Sequence, residues 1–255
     1  MALTLRAVPC LSDNYAYLVH DAESGRTAVI DAPEAGPIID TLTAEGWRLS
    51  HILITHHHND HIGGVEELRA STGAQVAGAA ADAHRLPPLD AAVSPGDTYG
   101  MGSARADIIE VPGHADNHIA WYFPDAGLCF TGDSLMALGC GRLFEGTPEQ
   151  MWASLQRINA LPGDTLICSG HDYTAGNARF ALSIEPDNRA LQDRIAGFDA
   201  DRAAGKPMAV VPLDTERATN PFLRAAEPHI KGLLGMAGAP DAVVFAEIRR
   251  RKDAF

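Results

Sequence analysis

Residues 51–64 read HILITHHHNDHIGG, an apolar run that leads directly into a cluster of histidines and an aspartate. Successive side chains of an extended segment point to opposite faces, so His56, His58 and Asp60 share one side. A turn after Asp60 can bring His61 round beside them. Imidazole and carboxylate groups suit zinc, iron or manganese. The stretch therefore predicts a metal site at the end of a buried strand.

Three further metal-type residues follow strands downstream, each beside a glycine. They are His114, Asp133 and His171. We expect them to join the first cluster, because strand ends hold side chains in fixed positions. The seven ligands are enough for two metals that share Asp133 and too many for one. His57 points to the other face of its strand end and is interpreted as a structural residue.

Size and charge limit the classes of protein that fit. The chain has 255 residues and a formal net charge of −13, with 46% hydrophobic and 21% charged residues. This composition is globular and excludes a disordered or collagen-like chain. The negative charge argues against a general binder of nucleic acid or anionic membranes, which needs surplus basic residues. One large domain, or one domain with an appendage, fits the length.

The charge is distributed unevenly along the chain. Residues 1–172 contain eight arginines, no lysine and 22 acidic residues, whereas residues 173–255 contain 12 basic and 11 acidic residues. The change near residue 172 predicts a second module. We call the two parts the N-terminal module (residues 1–172) and the helical module (residues 173–255).

Periodicity agrees with this division. Beyond about residue 175 only helical patterns remain, whereas strands and helices mix before it. The predicted strands are Leu3–Val8, Tyr15–Val19, Thr27–Ile30, His51–Ile54, Gln75–Ala77, Asp107–Val111, His118–Phe123, Leu128–Phe130 and Thr165–Cys168. The predicted helices are Pro37–Glu45, Gly64–Ser71, Pro148–Leu161, Asn177–Ile184, Asp187–Ala204, Glu227–Met236 and Asp241–Lys252.

The compartment is expected to be the cytoplasm. Arg6 and Asp13 interrupt what would be the apolar core of a signal peptide, and no uncharged apolar stretch is long enough for a membrane span. The four cysteines are far apart and form no C-x-x-C pair, which favours reduced, semi-buried thiols. We expect a monomer that binds a small molecule.

The ligand pattern resembles the metallo-β-lactamase superfamily over residues 1–172. The resemblance implies an α/β fold, an αββα sandwich of two mixed sheets flanked by helices. It implies a first metal on His56, His58, His114 and Asp133, and a second metal on Asp60, His61, His171 and Asp133. Asp31, which ends a predicted strand, matches a position where a carboxylate orients a ligating histidine.

A closer similarity is to the glyoxalase II, or hydroxyacylglutathione hydrolase, family. It is carried by Phe130–Gly146 (FTGDSLMALGCGRLFEG), Ser12–Tyr15 (SDNY), His171–Thr174 (HDYT), Asn220–Arg224 (NPFLR) and Arg249–Phe255 (RRRKDAF). These motifs spread the resemblance over nearly the whole chain. They imply a metallo-β-lactamase-like catalytic domain at residues 1–172 and a small all-helical glutathione-binding domain at residues 173–255.

The resemblance also implies an activity in methylglyoxal detoxification. The enzyme would hydrolyse S-(2-hydroxyacyl)glutathione, such as S-D-lactoylglutathione, to glutathione and a 2-hydroxy acid such as D-lactate. Two divalent ions, zinc first and iron or manganese as alternatives, would share the attacking hydroxide, with Asp60 and Asp133 catalytic through it. The residues implied to contact the glutathione portion are Arg142, Phe144, Tyr173, Arg249 and Lys252.

The chain departs from the family pattern at two places, and two alternative functions remain open. Phe144 is often Tyr in the family, so one possible hydroxyl contact is lost. The family pattern G-H-T-x-G-H has Ala115 and Asn117 in place of its Thr and second Gly, so the turn around His114 must differ. A glutathione persulfide dioxygenase with one iron is the main rival, and metal stoichiometry would distinguish it. A metal-stabilised binding module would show no turnover.

Overall fold

Two facing β-sheets form the centre of the computed structural model, which describes residues 3–255. The first sheet has the strand order β1-β2-β3-β4-β5-β6, with β1 Leu3–Cys10, β2 Asn14–Asp21, β3 Arg26–Ile30, β4 Leu49–Leu53, β5 Gln75–Ala79 and β6 Ala91–Val93. The second has the order β14-β13-β10-β9-β8-β7, with β7 Thr98–Met101, β8 Ala104–Glu110, β9 Ile119–Phe123, β10 Leu128–Gly132, β13 Leu166–Ser169 and β14 Val210–Pro212. A separate hairpin pairs β11 (Leu135–Met136) with β12 (Gly139–Cys140).

Both sheets are mixed, and the parallel pairs β3–β4, β4–β5 and β10–β13 have α-helices in their connections. In the first sheet β3, β4, β5 and β6 run parallel, with α1 (Ala35–Glu45) between β3 and β4. The short α2 (Asn59–Ile62) and α3 (Val65–Thr72) lie between β4 and β5. Parallel strands need such crossovers, whereas the antiparallel hairpins need only turns. The crossovers cover the outer face of this sheet.

Large aromatic side chains fill the space between the sheets. Tyr17, Trp121, Phe123 and Phe130 are fully buried there. The Tyr17 hydroxyl donates to the Ser169 carbonyl oxygen at 2.7 Å, and the indole N–H of Trp121 also donates to a backbone carbonyl. Their polar atoms are therefore satisfied, and the two sheets are joined by directed bonds as well as by apolar contact.

Helices cover the outer face of the second sheet. They are α4 Pro148–Asn159, α5 Thr174–Ile184, α6 Arg189–Ala196, α7 Phe198–Ala203, α8 Leu213–Thr219, α9 Pro228–Leu233 and α10 Asp241–Asp253. Thr147 and Gln150 form the predicted capping box at the start of α4. The apolar cluster beneath these helices joins Leu155 of the N-terminal module to Phe222 and Phe245 of the helical module. The two modules therefore share one core.

The predicted α/β sandwich with a helical C-terminal region is confirmed, with local differences. The sequence patterns missed β6, β7, β11, β12, α2 and α8, whose short runs leave little periodicity to detect. The predicted helix over 187–204 is two helices that meet at Gly197. Region 173–255 is also not all-helical, because the β-branched pair Val210 and Val211 adds β14 to the open edge of β13. The boundary at residue 172 stays a prediction.

The cysteines and the helices of the structure bear on two expectations from the sequence. All four cysteines are free and buried, which agrees with the expected reduced thiols. Within residues 3–255 there is no helix with the length and apolar character needed to cross a bilayer.

The start of α3 generates a test of packing in this fold. A Cβ on Gly64 would lie 2.6 Å from the Ala35 nitrogen and 2.7 Å from the Glu34 carbonyl carbon, and backbone cannot give way cheaply. We expect Gly64→Ala to lower the free energy of unfolding by about 1–3 kcal/mol through overpacking, measured by chemical denaturation. Gly36→Ala in α1, where a Cβ meets nothing within 4 Å, is the matched control and should be neutral or stabilising. Equal effects would contradict this packing account.

Candidate metal centre and adjoining pocket

Four chain segments bring the seven predicted ligands to one edge of the sandwich. The segment after β4 carries His56, His58, Asp60 and His61, and the loops after β8, β10 and β13 carry His114, Asp133 and His171. Each ligand-bearing segment follows a strand, so the sheets determine where the ligands meet.

The first group consists of three histidines beside Asp133. The ring nitrogens His56 Nε2 and His58 Nδ1 are 3.1 Å apart, and His114 Nε2 lies 3.0 Å from the same His58 nitrogen. The Oδ2 atom of Asp133 is 3.4 Å from His114 Nε2. Three nitrogen lone pairs and one carboxylate oxygen thus converge on a small volume, which matches a four-ligand N/O site.

The second group, Asp60, His61 and His171, also contacts Asp133. His61 Nε2 is 3.3 Å from Asp133 Oδ1, and His171 Nε2 is 3.3 Å from Asp133 Oδ2. Asp60 Oδ2 is also 3.3 Å from His171 Nε2. Asp133 therefore faces both groups, as a carboxylate shared by two cations would.

Polar atoms without partners test whether a cation fits here. Within residues 3–255, His61 Nε2 and Asp133 Oδ1 are buried and make no hydrogen bond, and both point into the cluster. A buried polar atom without a partner costs free energy, and a divalent cation bound to both atoms would remove that cost. The set of nitrogen and oxygen donors fits a pair of divalent metal ions.

The protonation of the histidines follows from burial and from the carboxylates. Burial holds the pKa values of His56, His58 and His114 below their ordinary value, so these rings are neutral and can offer lone pairs. Burial acts in the same direction on His171, but the neighbouring Asp133 and Asp60 outweigh it and raise its pKa to about 10. The carboxylates thus make the second half of the cluster attract positive charge.

Three of the predicted ligand rings are held by a hydrogen bond at the nitrogen that faces away from the cluster. The Nδ1–H of His61 donates to Asp31 at 2.8 Å, which is the arrangement implied by the family resemblance. The Nδ1–H of His171 donates to Asp13 at 2.7 Å, and that of His114 donates to a backbone carbonyl oxygen. Such bonds fix the tautomer and direction of a ring. Sequence reasoning missed Asp13, although it lies in the Ser12–Tyr15 motif.

His118 is a second residue that sequence reasoning left without a role. It is fully buried and its ring stacks on His56, with 4.5 Å between centroids. Its Nδ1–H donates to the Ile119 carbonyl oxygen, and its Nε2 accepts the backbone N–H of Asp133 at 3.2 Å. His118 therefore holds the segment that carries the shared aspartate. Its signal in the sequence is the second histidine of the GHADNH segment.

His57 lies outside the cluster. Its Nδ1 is 3.1 Å from Asp82 and its Nε2 is 3.3 Å from Glu145, and Arg85 bonds both carboxylates. This network supports the structural interpretation of His57.

The structure around His57 and Asp82 also shows why Asn117 can stand where the family pattern has its second glycine. Asn117 has φ 57° and reaches towards Asp82 with its amide. Asparagine tolerates this left-handed conformation better than most residues, so it can replace the glycine of the family pattern.

A pocket of about 710 Å³ opens beside the histidine and aspartate cluster, and its wall includes all five residues implied to contact glutathione. Phe144 and Tyr173 are 58% and 41% exposed at its rim. The Tyr173 ring stacks on His171 with 4.8 Å between centroids, and the Arg142 guanidinium lies 5.3 Å from the Phe144 ring centroid. The pocket has the size of a small-molecule site.

The two basic residues of α10 differ in their surroundings. Arg249 is buried and donates to the Cys140 carbonyl oxygen at 3.0 Å and to Asp253 at 2.7 Å. Lys252 is half-buried and donates to the Gly176 carbonyl oxygen at 3.2 Å. Burial and the charge of Arg249 lower the pKa of Lys252. Lys252 is therefore the more available of the two cations, and Arg249 also serves to hold the wall of the pocket.

Family models match both parts of the chain. The model described as metallo-beta-lactamase superfamily matches residues 12–171, and the model described as hydroxyacylglutathione hydrolase C-terminus matches residues 172–255. A hydroxyacylglutathione hydrolase of Cereibacter sphaeroides is 62% identical over the full length of both chains. A second, from Ruegeria pomeroyi, is 59% identical, again over the full length of both.

Solved structures show the same fold at lower identity. The B3 metallo-beta-lactamase BLEG-1 has a TM-score of 0.67 and 21% identity, covering 86% of this chain and 99% of its own. ETHE1 from Myxococcus xanthus has a TM-score of 0.64 and 24% identity, covering 100% of this chain and 99% of its own.

The role of Asp31 in orienting the His61 ring can be tested by removing the hydrogen bond between them. Asp31→Asn removes a charge and one acceptor, because the amide nitrogen cannot accept the His61 proton. We expect divalent metal affinity to fall by about 10–100-fold, measured by chelator competition on folded protein. The matched control is Asp21→Asn, since Asp21 is also a buried carboxylate but bonds Ser24 and Ser103 instead. It should lose stability and keep its metal affinity, and equal affinities in both variants would refute the role of Asp31.

Proposed function

The chain belongs to the hydroxyacylglutathione hydrolase family of the metallo-β-lactamase superfamily, and we propose that it hydrolyses the thioester of S-(2-hydroxyacyl)glutathione. The products are glutathione and a 2-hydroxy acid, which is D-lactate when S-D-lactoylglutathione is the substrate in methylglyoxal detoxification. One observation carries the proposal: a histidine and aspartate cluster opens onto a pocket whose wall contains the cations Arg142, Arg249 and Lys252.

The enzyme is metal-dependent, and the assignment of each ligand is part of the proposal. The first metal is assigned to His56, His58, His114 and Asp133, and the second to Asp60, His61, His171 and Asp133. Five imidazoles and two carboxylates suit zinc, which is our first choice, and also iron or manganese. The orphaned atoms His61 Nε2 and Asp133 Oδ1 support the assignment.

When bound, divalent metal ions would supply a water whose pKa is lowered to about 7 and a positive charge for the developing oxyanion. The residues of the chain provide the geometry around this chemistry. Asp133 is buried and faces both ligand groups, so its carboxylate holds the two groups at a constant distance from each other. Asp60 is 43% exposed at its side chain and lines the pocket, from where its carboxylate can accept a proton from the attacking water.

The pocket wall is assigned to the glutathione portion of the substrate. Glutathione carries two carboxylates and one ammonium group, so it approaches a strongly acidic N-terminal module with net negative charge. Arg249 and Lys252, three residues apart on one face of α10, offset that repulsion. Arg142, Phe144 and Tyr173 at the rim complete the proposed contacts. These contacts hold the glutathione portion at a distance from the thioester, so that the thioester carbonyl can lie at the histidine and aspartate cluster.

The rest of the proposal concerns partners and location. We propose a monomer that acts on a small molecule, without nucleic-acid or membrane partners, in the cytoplasm. The net charge of −13 supports the exclusion of nucleic acid.

The first test measures hydrolysis and metal content together. We expect purified protein to cleave S-D-lactoylglutathione with about two metal ions per chain, as the seven ligands imply. Asp133→Ala should lose activity and both metals, because Asp133 faces both ligand groups. Asp125→Ala, a change to an exposed aspartate beyond the opposite end of β10, is the control and should match the parent.

Two outcomes would contradict this assignment. Elemental analysis that finds one metal per active chain would exclude the dinuclear site. Oxygen uptake with glutathione persulfide, registered by an oxygen electrode, would favour the one-iron dioxygenase instead.

The second test concerns the cations of α10. A charge-assisted hydrogen bond contributes about 1.5–3 kcal/mol, so Lys252→Ala should raise KM roughly ten- to a hundredfold. We expect kcat to stay within a few-fold and metal content to stay unchanged, because the contact lies away from the reacting carbonyl. Arg251→Ala is the matched control: it lies on the same helix but pairs with Glu247. A fall in kcat with constant KM would show that Lys252 helps to place the carbonyl instead.

A further inference from the structure

The hairpin of β11 and β12 connects two parts of the candidate metal centre. Asp133 lies two residues before it, and Arg142 lies two residues after it. The backbone carbonyl oxygen of Arg142 accepts the Nδ1–H of His114 at 2.8 Å. Any displacement of this hairpin would therefore move the shared carboxylate and change the direction of a ligating ring together.

Side chains of the helical module hold the turn of this hairpin. The Asn220 amide donates to the carbonyl oxygens of Met136 at 3.1 Å and Gly139 at 3.0 Å. The Asn177 amide donates to the carbonyl oxygen of Ala137, also at 3.0 Å. Three carbonyl oxygens of this buried turn thus accept hydrogen bonds from side chains of the helical module. These bonds restrict the movement of the turn.

Glu216 binds the tip of the same turn. Its side chain is fully buried, and Oε2 accepts the backbone N–H of Leu138 and the Asn220 amide, both at 2.9 Å. Its Oε1 accepts from Arg194 at 2.6 Å, so the buried charge is paired. Asn220 and Glu216 therefore form one connected polar unit in which each group has a partner.

The conformation of Leu138 explains why the turn needs this support. Leu138 has φ 57°, in the left-handed region that a leucine rarely adopts. Its fully buried side chain packs in the apolar cluster of the helical module, beside Ala178, Ala181 and Leu191. The strained residue persists because its side chain and its N–H are both held by that module.

We propose that Glu216 and Asn220 are positioning residues for the metal centre, acting through the β11–β12 hairpin to set the place of Asp133 and the direction of His114. This role rests on the proposed metal-dependent function. It gives the helical module a second task beside the pocket wall, since it preorganises ligands that all lie in the N-terminal module. This role gives Asn220, the first residue of the Asn220–Arg224 motif, a physical function in the fold.

The same module contains a matched comparison. Glu185 is also a buried glutamate paired with an arginine, accepting two hydrogen bonds from Arg224 at 2.8 and 3.0 Å. Among the described residues its hydrogen bonds involve only groups of the helical module, and the hairpin is not among them. Variants of both glutamates should therefore lose stability, whereas only variants of Glu216 should also lose metal affinity.

The experiment compares Glu216→Gln, Asn220→Ala and Glu185→Gln with the parent chain. A glutamine amide nitrogen cannot accept from Leu138 or Arg194, so Glu216→Gln breaks at least one of these bonds. Zn²⁺ affinity is measured by competition with a chromophoric chelator, on protein whose folded fraction is determined by near-ultraviolet circular dichroism. We expect affinity to fall tenfold or more in Glu216→Gln and Asn220→Ala, and to stay within twofold in Glu185→Gln.

Equal Zn²⁺ affinity in all three folded variants and the parent would overturn the positioning role while leaving the proposed function intact. A parent that binds no metal would overturn the proposed function, and the positioning role with it. If Glu216→Gln does not fold, Asn220→Ala and the milder Asn177→Ala decide the question. Parent-like affinity in both would overturn the proposal, and a graded loss would support it.

Discussion

The fully buried carboxylate of Asp133 is the charge around which the site is organised. A carboxylate removed from water is costly unless opposite charges and hydrogen bonds compensate it. Here imidazoles of His61, His114 and His171 approach within 3.4 Å, and His118 holds the backbone of the aspartate. These groups come from segments far apart in sequence, so the compensation is complete only when both sheets are formed and packed together.

The approach of these segments leaves almost no room at the centre. A Cβ on Gly170 would lie 2.6 Å from Asp133 Oδ1 and from the His61 ring, so only glycine permits His171 to follow β13 so closely. The hydrogen bonds that Asp31 and Asp13 accept from His61 and His171 then fix the directions of these rings. Tight backbone packing and oriented side chains together make the cluster rigid before any ligand arrives, which limits the reorganisation that binding requires.

The helical module is integrated with the sandwich in three ways. It shares an apolar core with α4, it adds β14 to the second sheet, and its polar side chains hold the β11–β12 hairpin. It also places Arg249 and Lys252 at the pocket beside an N-terminal module with a large excess of acidic residues. The positive charge on this wall of the pocket, beside the histidine and aspartate cluster, would attract an anionic ligand.

The sequence by itself determined the two sheets with a helical C-terminal region, the family and the set of candidate ligands. The α/β pattern and the helical region follow from local periodicity, and the candidate ligands follow from residue types concentrated in short motifs such as His56–His61. The two facing sheets follow from the family resemblance that such motifs carry. Only the tertiary structure revealed Asp13, which is 158 residues from its partner His171, and the link from Glu216 to Leu138. It also showed Arg249 bonded to Cys140 rather than free for substrate alone. Local patterns set the backbone and the available chemistry, whereas the partner of a long polar side chain depends on which distant segments pack against it.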